Sequence, residues 1–162
     1  MTRFALLGLL VLLVGAGTAG AGPTVPTDGT LIVKDGVGRI VIAAKGGVIG
    51  RFDKGQVTIK DPIPGDGTGP IVTGAEVEQS INDTTTRYAG TNVRFRIIGG
   101  KFSITVDASN IDLSVIGNGS VKLDGRGTLD DGTYSMNGGP SQAFPAFLFT
   151  FSLEPPLPVP GG

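Results

Sequence analysis

Apolar residues recur at every second position through most of this chain, and that pattern admits few folds. Ile40, Ile42 and Ala44 alternate with polar or small neighbours, as do Val57 and Ile59. Val93, Phe95 and Ile97 form the clearest run, followed by Phe102, Ile104 and Val106, then Ile111, Leu113 and Val115, then Val121 and Leu123. Successive side chains of a strand point to opposite faces, so period two marks a strand with one face buried. No stretch of helical period interrupts the series. The spacing predicts an inward set of Ile40, Ile42, Val57, Ile59, Val93, Phe95, Ile97, Phe102, Ile104, Val106, Leu113, Val121 and Leu123.

Between the runs lie turn-forming pairs: Asp35-Gly36, Gly46-Gly47, Lys54-Gly55, Gly99-Gly100, Asn118-Gly119, Asp124-Gly125 and Asp131-Gly132. Gly takes positive φ freely, and Asn and Asp tolerate it best among the others, so these pairs predict tight turns between short strands. The chain holds 28 Gly among 162 residues, more than twice the ordinary share of roughly 7%. A hydrophobic fraction of 40% and a formal net charge of -1 argue against disorder as the reason. The glycines punctuate something that packs.

The segments 38–60 and 100–124 repeat one design. Each opens with Gly and a base (Gly38-Arg39, Gly100-Lys101), continues into an alternating strand, and returns through a Gly turn at Gly55 or Gly119 to a Val-x-Ile or Val-x-Leu strand. Two facing copies of such a meander bury each other's apolar sides. The expected fold is therefore all-β: an antiparallel β-sandwich or flattened barrel from a duplicated meander. A short β-solenoid is the alternative, because Gly-punctuated strands also suit stacked coils.

The chain divides into an export signal over 1–21, a linker over 22–29, an all-β domain over 30–153 and a Pro-rich tail over 154–162. Arg3 supplies the positive n-region, Phe4 to Val14 the apolar h-region, and Ala19-Gly20-Ala21 a small-residue cleavage site. Retention as an uncleaved anchor is the rival reading, since Phe4 to Ala21 approaches the length of a span. Cleavage would leave 12 basic and 14 acidic side chains, since Arg3 is one of the 13 bases. A charge so near zero predicts no attraction to nucleic acid. The connector Asp61 to Pro70, with three Pro and three Gly, reads as a surface loop, and Ile71 to Gln79 as a further strand with Val72, Gly74 and Glu76 on one face. Ile81 to Thr86 reads as a polar turn.

Cys, His and Trp are absent. That removes disulfides, thiolate nucleophiles, Cys/His zinc sites and any Ser-His-Asp triad, and it leaves carboxylates as the strongest acid/base groups. Asp107 and Asp112 flank a turn and are the pair a carboxylate-dependent hydrolase would use, although two Tyr and no Trp supply a sugar cleft poorly. Asp124 to Gly127 and Asp130 to Gly132 offer oxygen ligands for calcium, without the EF-hand spacing. No cofactor is expected. Arg94 and Arg96 share the strand face opposite Phe95, a solvated face or a small basic patch for an anionic envelope polymer. Phe147, Phe149 and Phe151 lie in FPAFLFTFSL (144–153), which reads as a last strand over the sheet or an exposed aromatic patch for a protein partner. These five residues are the candidate contacts.

The segments VGRIVIAAKGGVIGRFDKGQVTIKDP and NVRFRIIGGKFSITVDASNIDLSVIGNGSVKLDG resemble a group of small exported, Gly-rich β proteins of actinobacteria that carries no assigned activity. The resemblance covers about residues 29–138. It implies a secreted or envelope protein and transfers no catalytic residue. The function expected is that of an exported non-enzymatic β module that binds or builds, with an extracytoplasmic hydrolase as the alternative. Contact with the membrane is expected only through an uncleaved signal segment.

Overall fold

The computed structural model describes residues 27–126, 128 and 130–155. The expected leader, most of the linker and the tail beyond Pro155 lie outside the described residues. The described chain is all-β. Its strands are β1 (Gly29–Lys60), β2 (Ile71–Thr73), β3 (Val77–Asn82), β4 (Thr85–Ile97), β5 (Lys101–Gly125), β6 (Thr133–Met136), β7 (Gln142–Ala143) and β8 (Phe149–Leu153). They form one eight-stranded sheet with the path β2-β4-β1-β5-β8; β3 adds to β4, and β6 pairs with both β1 and β7. Both ends of the path are free, so the sheet is not closed into a barrel. Every pairing is antiparallel, which overturns the solenoid alternative, whose stacked coils pair in parallel.

Two long strands organise the sheet. β1 has β5 on both of its edges: Ile40 pairs with Val106 on one side and with Leu123 on the other. β5 correspondingly lies between two passes of β1, with Val106 paired to both Ile40 and Val57. The two sequence repeats thus lie antiparallel along each other, from Gly38↔Gly125 to Lys60↔Ser103. Each copy is one long bent strand where the sequence suggested a meander of short ones. The Gly and Asx pairs inside them are bends, because the residues on either side keep their ladder partners.

A line of Asx residues crosses β4, two passes of β1 and the part of β5 between those passes. Asn92, Asn110 and Asp35 all have positive φ, at 56°, 52° and 53°. Asp53 lies between Asn92 and Asn110, where the ladder skips from Phe52↔Val93 to Lys54↔Thr91 and from Arg51↔Asp112 to Lys54↔Ser109. Asn110 Nδ2 donates to Asp53 Oδ2 at 2.8 Å across that gap. Such irregularities bend a strand and shift its alternation by one residue. The buried side chains record the shift: Leu31 and Val33 before the line and Ile40 and Ile42 after it, Phe52 then Val57, Ala108 then Ile111. Each interval from the last buried residue to the next is odd, so the same face stays on the core after the bend.

Within the ladder that joins the two repeats, Gly46 faces Gly117. A Cβ on Gly46 would lie 2.1 Å from the Ile116 carbonyl oxygen, and one on Gly117 would lie 2.3 Å from that of Lys45. Only glycine admits the two backbones at this separation.

All thirteen residues of the expected inward set are buried, in one cluster that also takes in Leu31, Val33, Val48, Phe52, Ile111, Val115, Phe144 and Leu153. The expected strand Ile71 to Gln79 is interrupted at Gly74, where φ is 79°, and becomes β2 and β3. The polar stretch after it is the end of β3, a two-residue turn and the start of β4. Asp61 to Pro70 is a surface loop.

Candidate functional site

The outward residues of β2, β4, β1 and β5 line a concave pocket of about 730 Å³. Two cross-strand rows build it. The first runs Ile71, Arg96, Ile49, Ser114, Ile32, each residue the ladder partner of the next. The second runs Thr73, Arg94, Arg51, Asp112 in the same way, with Lys34 of β1 beyond. The alternation that buries Val93, Phe95 and Ile97 sends Arg94 and Arg96 to this side. The floor is the backbone around Gly50, Phe95 and Leu113. A Cβ on Gly50 would fall 2.4 Å from Phe95 Cζ, so the glycine admits the aromatic ring beneath the pocket.

The charges are unevenly compensated. Arg51 Nη2 lies 2.6 Å from Asp112 Oδ2, its Nε donates to the same oxygen at 2.8 Å, and Lys34 Nζ stands 4.0 Å from Asp112 Oδ1. The Asp35 N–H donates to Asp112 Oδ1 at 3.2 Å. Partial burial opposes the charge on Asp112, but the Arg51 hydrogen bond, the Asp35 N–H and the charges of Lys34 and Arg51 outweigh it. They hold the carboxyl below the ordinary carboxylate range. Arg94 and Arg96 take part in none of the ion pairs among the described residues. Arg94 stands directly across from Arg51, whose charge Asp112 already offsets. The apolar members are exposed: Ile49 by 66%, Ile71 by 43% and Ile32 by 41%. The site thus offers two uncommitted guanidinium groups beside three solvent-facing isoleucines.

The other candidate residues lie elsewhere. Phe149 and Phe151 are on β8, where they form an aromatic cluster with Tyr134 of β6; Phe151 stacks on Tyr134 at a centroid distance of 6.2 Å. Phe147 precedes the strand and is 83% exposed. The segment 144–153 is strand only from Phe149 onward, while Phe144 and Leu153 are buried at its ends. It therefore both covers the sheet and exposes aromatic surface.

Asp107 and Asp112 are not gathered in one cleft. Asp107 borders a second, polar pocket of about 550 Å³ with Arg39, Lys54, Asp124 and Arg126, and it accepts from Arg39 Nη2 at 2.7 Å and from Nε at 3.2 Å. Asp112 lines the first pocket. Each carboxylate is occupied by an arginine, and no geometry sets the two on opposite sides of a common bond. The Asp-Gly loop at 124–132 uses its carboxylate internally: Asp131, only 3% exposed, accepts from the N–H groups of Arg126 and Thr128 at 2.7 and 2.9 Å and from the Thr128 hydroxyl. Among the described residues no cluster of three or more Asp or Glu is placed to hold a metal ion.

Alternation within β4 singles out Arg94 and Arg96 but gives no sign of Ile32, Ile49 and Ile71 as their companions. The rows that join them depend on long-range register, which alternation within one strand does not carry. No protein-family model, curated protein or solved structure matches the chain.

Proposed function

We propose that the chain is an exported, non-enzymatic β module that binds an anionic ligand or partner outside the cytoplasm through its concave basic face. The observation that carries this reading is the pair Arg94 and Arg96, held without ion partners among the described residues in a pocket of about 730 Å³. Pockets of a few hundred Å³ with a few convergent polar groups are the usual form of a small-ligand site. The leader pattern at residues 1–21 and the resemblance to exported glycine-rich β proteins support the location. The lack of His and Cys and the separate engagement of Asp107 and Asp112 support binding over hydrolysis.

Three measurements test the reading. The anionic dye 8-anilinonaphthalene-1-sulfonate should bind the folded protein, and R94A/R96A should weaken that binding by about tenfold or more. Equal binding by the variant contradicts the site. A panel of ester, peptide and glycoside substrates should show no turnover; turnover abolished by D107A or D112A would establish the hydrolase instead. N-terminal sequencing of protein recovered from outside the cell should begin at Gly22, and an intact Met1 start would contradict cleavage.

A second reading has its own observation. β8 ends the sheet path, and Phe147 and Leu148 just before it and Phe149 at its start are exposed. Free strand edges pair readily with further chains. An assembly role predicts concentration-dependent growth in light scattering that F147S/L148S suppresses. A monomer at high concentration removes it.

A further inference from the structure

The make-up of the concave face narrows its ligand. An acidic polymer would need a run of free cations, yet the cations of this face without an ion pair are Arg94 and Arg96, neighbours on one strand. Such a polymer would also leave the isoleucines uncovered. Three exposed isoleucines in one row are not scattered surface residues. Ile49 lies one strand from Arg96, and Ile32 two strands further. Between Arg96 and Ile32 the row spans three inter-strand steps, about 14 Å at the usual spacing.

We propose that this face binds a single-chain amphipathic anion. Its carboxylate or phosphate head sits between Arg94 and Arg96, with the Thr73 hydroxyl beside it, and its alkyl chain lies along Ile49, Ser114 and Ile32. The proposal rests on the binding reading above and names its ligand class. Guanidinium groups match the paired oxygens of carboxylate and phosphate through parallel N–H donors. Arg94 faces Arg51 across the ladder, and with Asp112 committed to Arg51 an anion seated beside Arg94 supplies the counter-charge that it lacks among the described residues. Asp112 already neutralises Arg51 and approaches Lys34, so the head is drawn to the β4 end of the pocket and the tail runs towards β1. Burial of the isoleucines supplies the apolar part of the affinity.

Isothermal titration calorimetry of the purified protein tests this with six probes: laurate, dodecyl phosphate, dodecanol, acetate, inorganic phosphate and dextran sulfate, each lipid below its micelle concentration. Laurate or dodecyl phosphate should bind, and which of them binds more tightly identifies the head group. Dodecanol, acetate and inorganic phosphate, each lacking one half of the ligand, should bind about tenfold more weakly or worse. R94A and R96A should each weaken the preferred lipid by about tenfold, and I49S by a smaller factor, with thermal unfolding unchanged. Dextran sulfate binding that R94A/R96A abolishes, without lipid binding, overturns the ligand class and leaves an anion-binding face. Lipid binding indifferent to R94A and R96A, or no binding by any probe, overturns both. Sedimentation of the free protein as a dimer that R94E splits would assign the face to a second copy and overturn the lipid.

Discussion

Asn110 carries a backbone conformation that most residues resist. With φ at 52° it sits in the left-handed region, which costs an ordinary L-residue about 1 kcal/mol and glycine almost nothing. N110A should therefore lower stability to urea by about 1–2 kcal/mol, the lost Asp53 contact included, whereas N110G should lose less. Equal losses would mean that the side-chain bond matters and the conformation does not. Gly46 is stricter. G46A brings a methyl group against the Ile116 carbonyl oxygen, and a loss of about 2 kcal/mol or more is expected in the same measurement. Asp112 supplies the pH dependence. Its folded carboxyl is held below the ordinary range, so the stability it contributes is present above the unfolded carboxylate range and is lost as pH falls through its own lowered pKa. D112N should flatten that acid limb of the stability profile. It should also strengthen anion binding on the concave face, because Arg51 is released; weaker binding would show that Asp112 positions Arg51 for the ligand.

At the scale of the element, the bends explain how two strands as long as β1 and β5 enclose one core. Each passes the Asx line and resumes with its alternation shifted by one, so apolar residues keep facing inward. The sign of this lies in the sequence. Phe52 to Val57 is five residues, Ala108 to Ile111 three, and Val33 to Ile40 seven. Odd intervals between alternating runs, each containing an Asx, mark bends as well as turns, and reading every Gly or Asx pair as a hairpin divided two strands into six. The inward set was legible because alternation within a run is local. Partner strands were not, since Arg96 meets Ile49 and Ile71 only through register set 47 and 25 residues away. Deleting Asn110 should turn Ile111, Leu113 and Val115 towards solvent. A loss of cooperative unfolding is expected, and a native-like transition would contradict the role of the bend line.

At the scale of the whole molecule, the sheet is antiparallel, open at both ends and folded about one apolar cluster, with its long-range pairings made between residues far apart in the chain. Such topology folds slowly, on the millisecond-to-second scale typical of β domains. One end of the sheet carries the aromatic strand β8 and the other the edge strands β2 and β3, while the concave face with Arg94 and Arg96 lies between. A ligand bound there would join β2, β4, β1 and β5, and so should raise the unfolding temperature with the logarithm of its concentration above Kd. The most direct measurement is an amide chemical-shift map of ¹⁵N-labelled protein titrated with laurate. The account predicts saturable shifts centred on Ile32, Ile49, Ile71 to Thr73, Arg94 to Arg96 and Asp112 to Ser114, and their loss in R94A/R96A. Shifts confined to Phe147 to Leu153, or shifts that persist in the double variant, would contradict it.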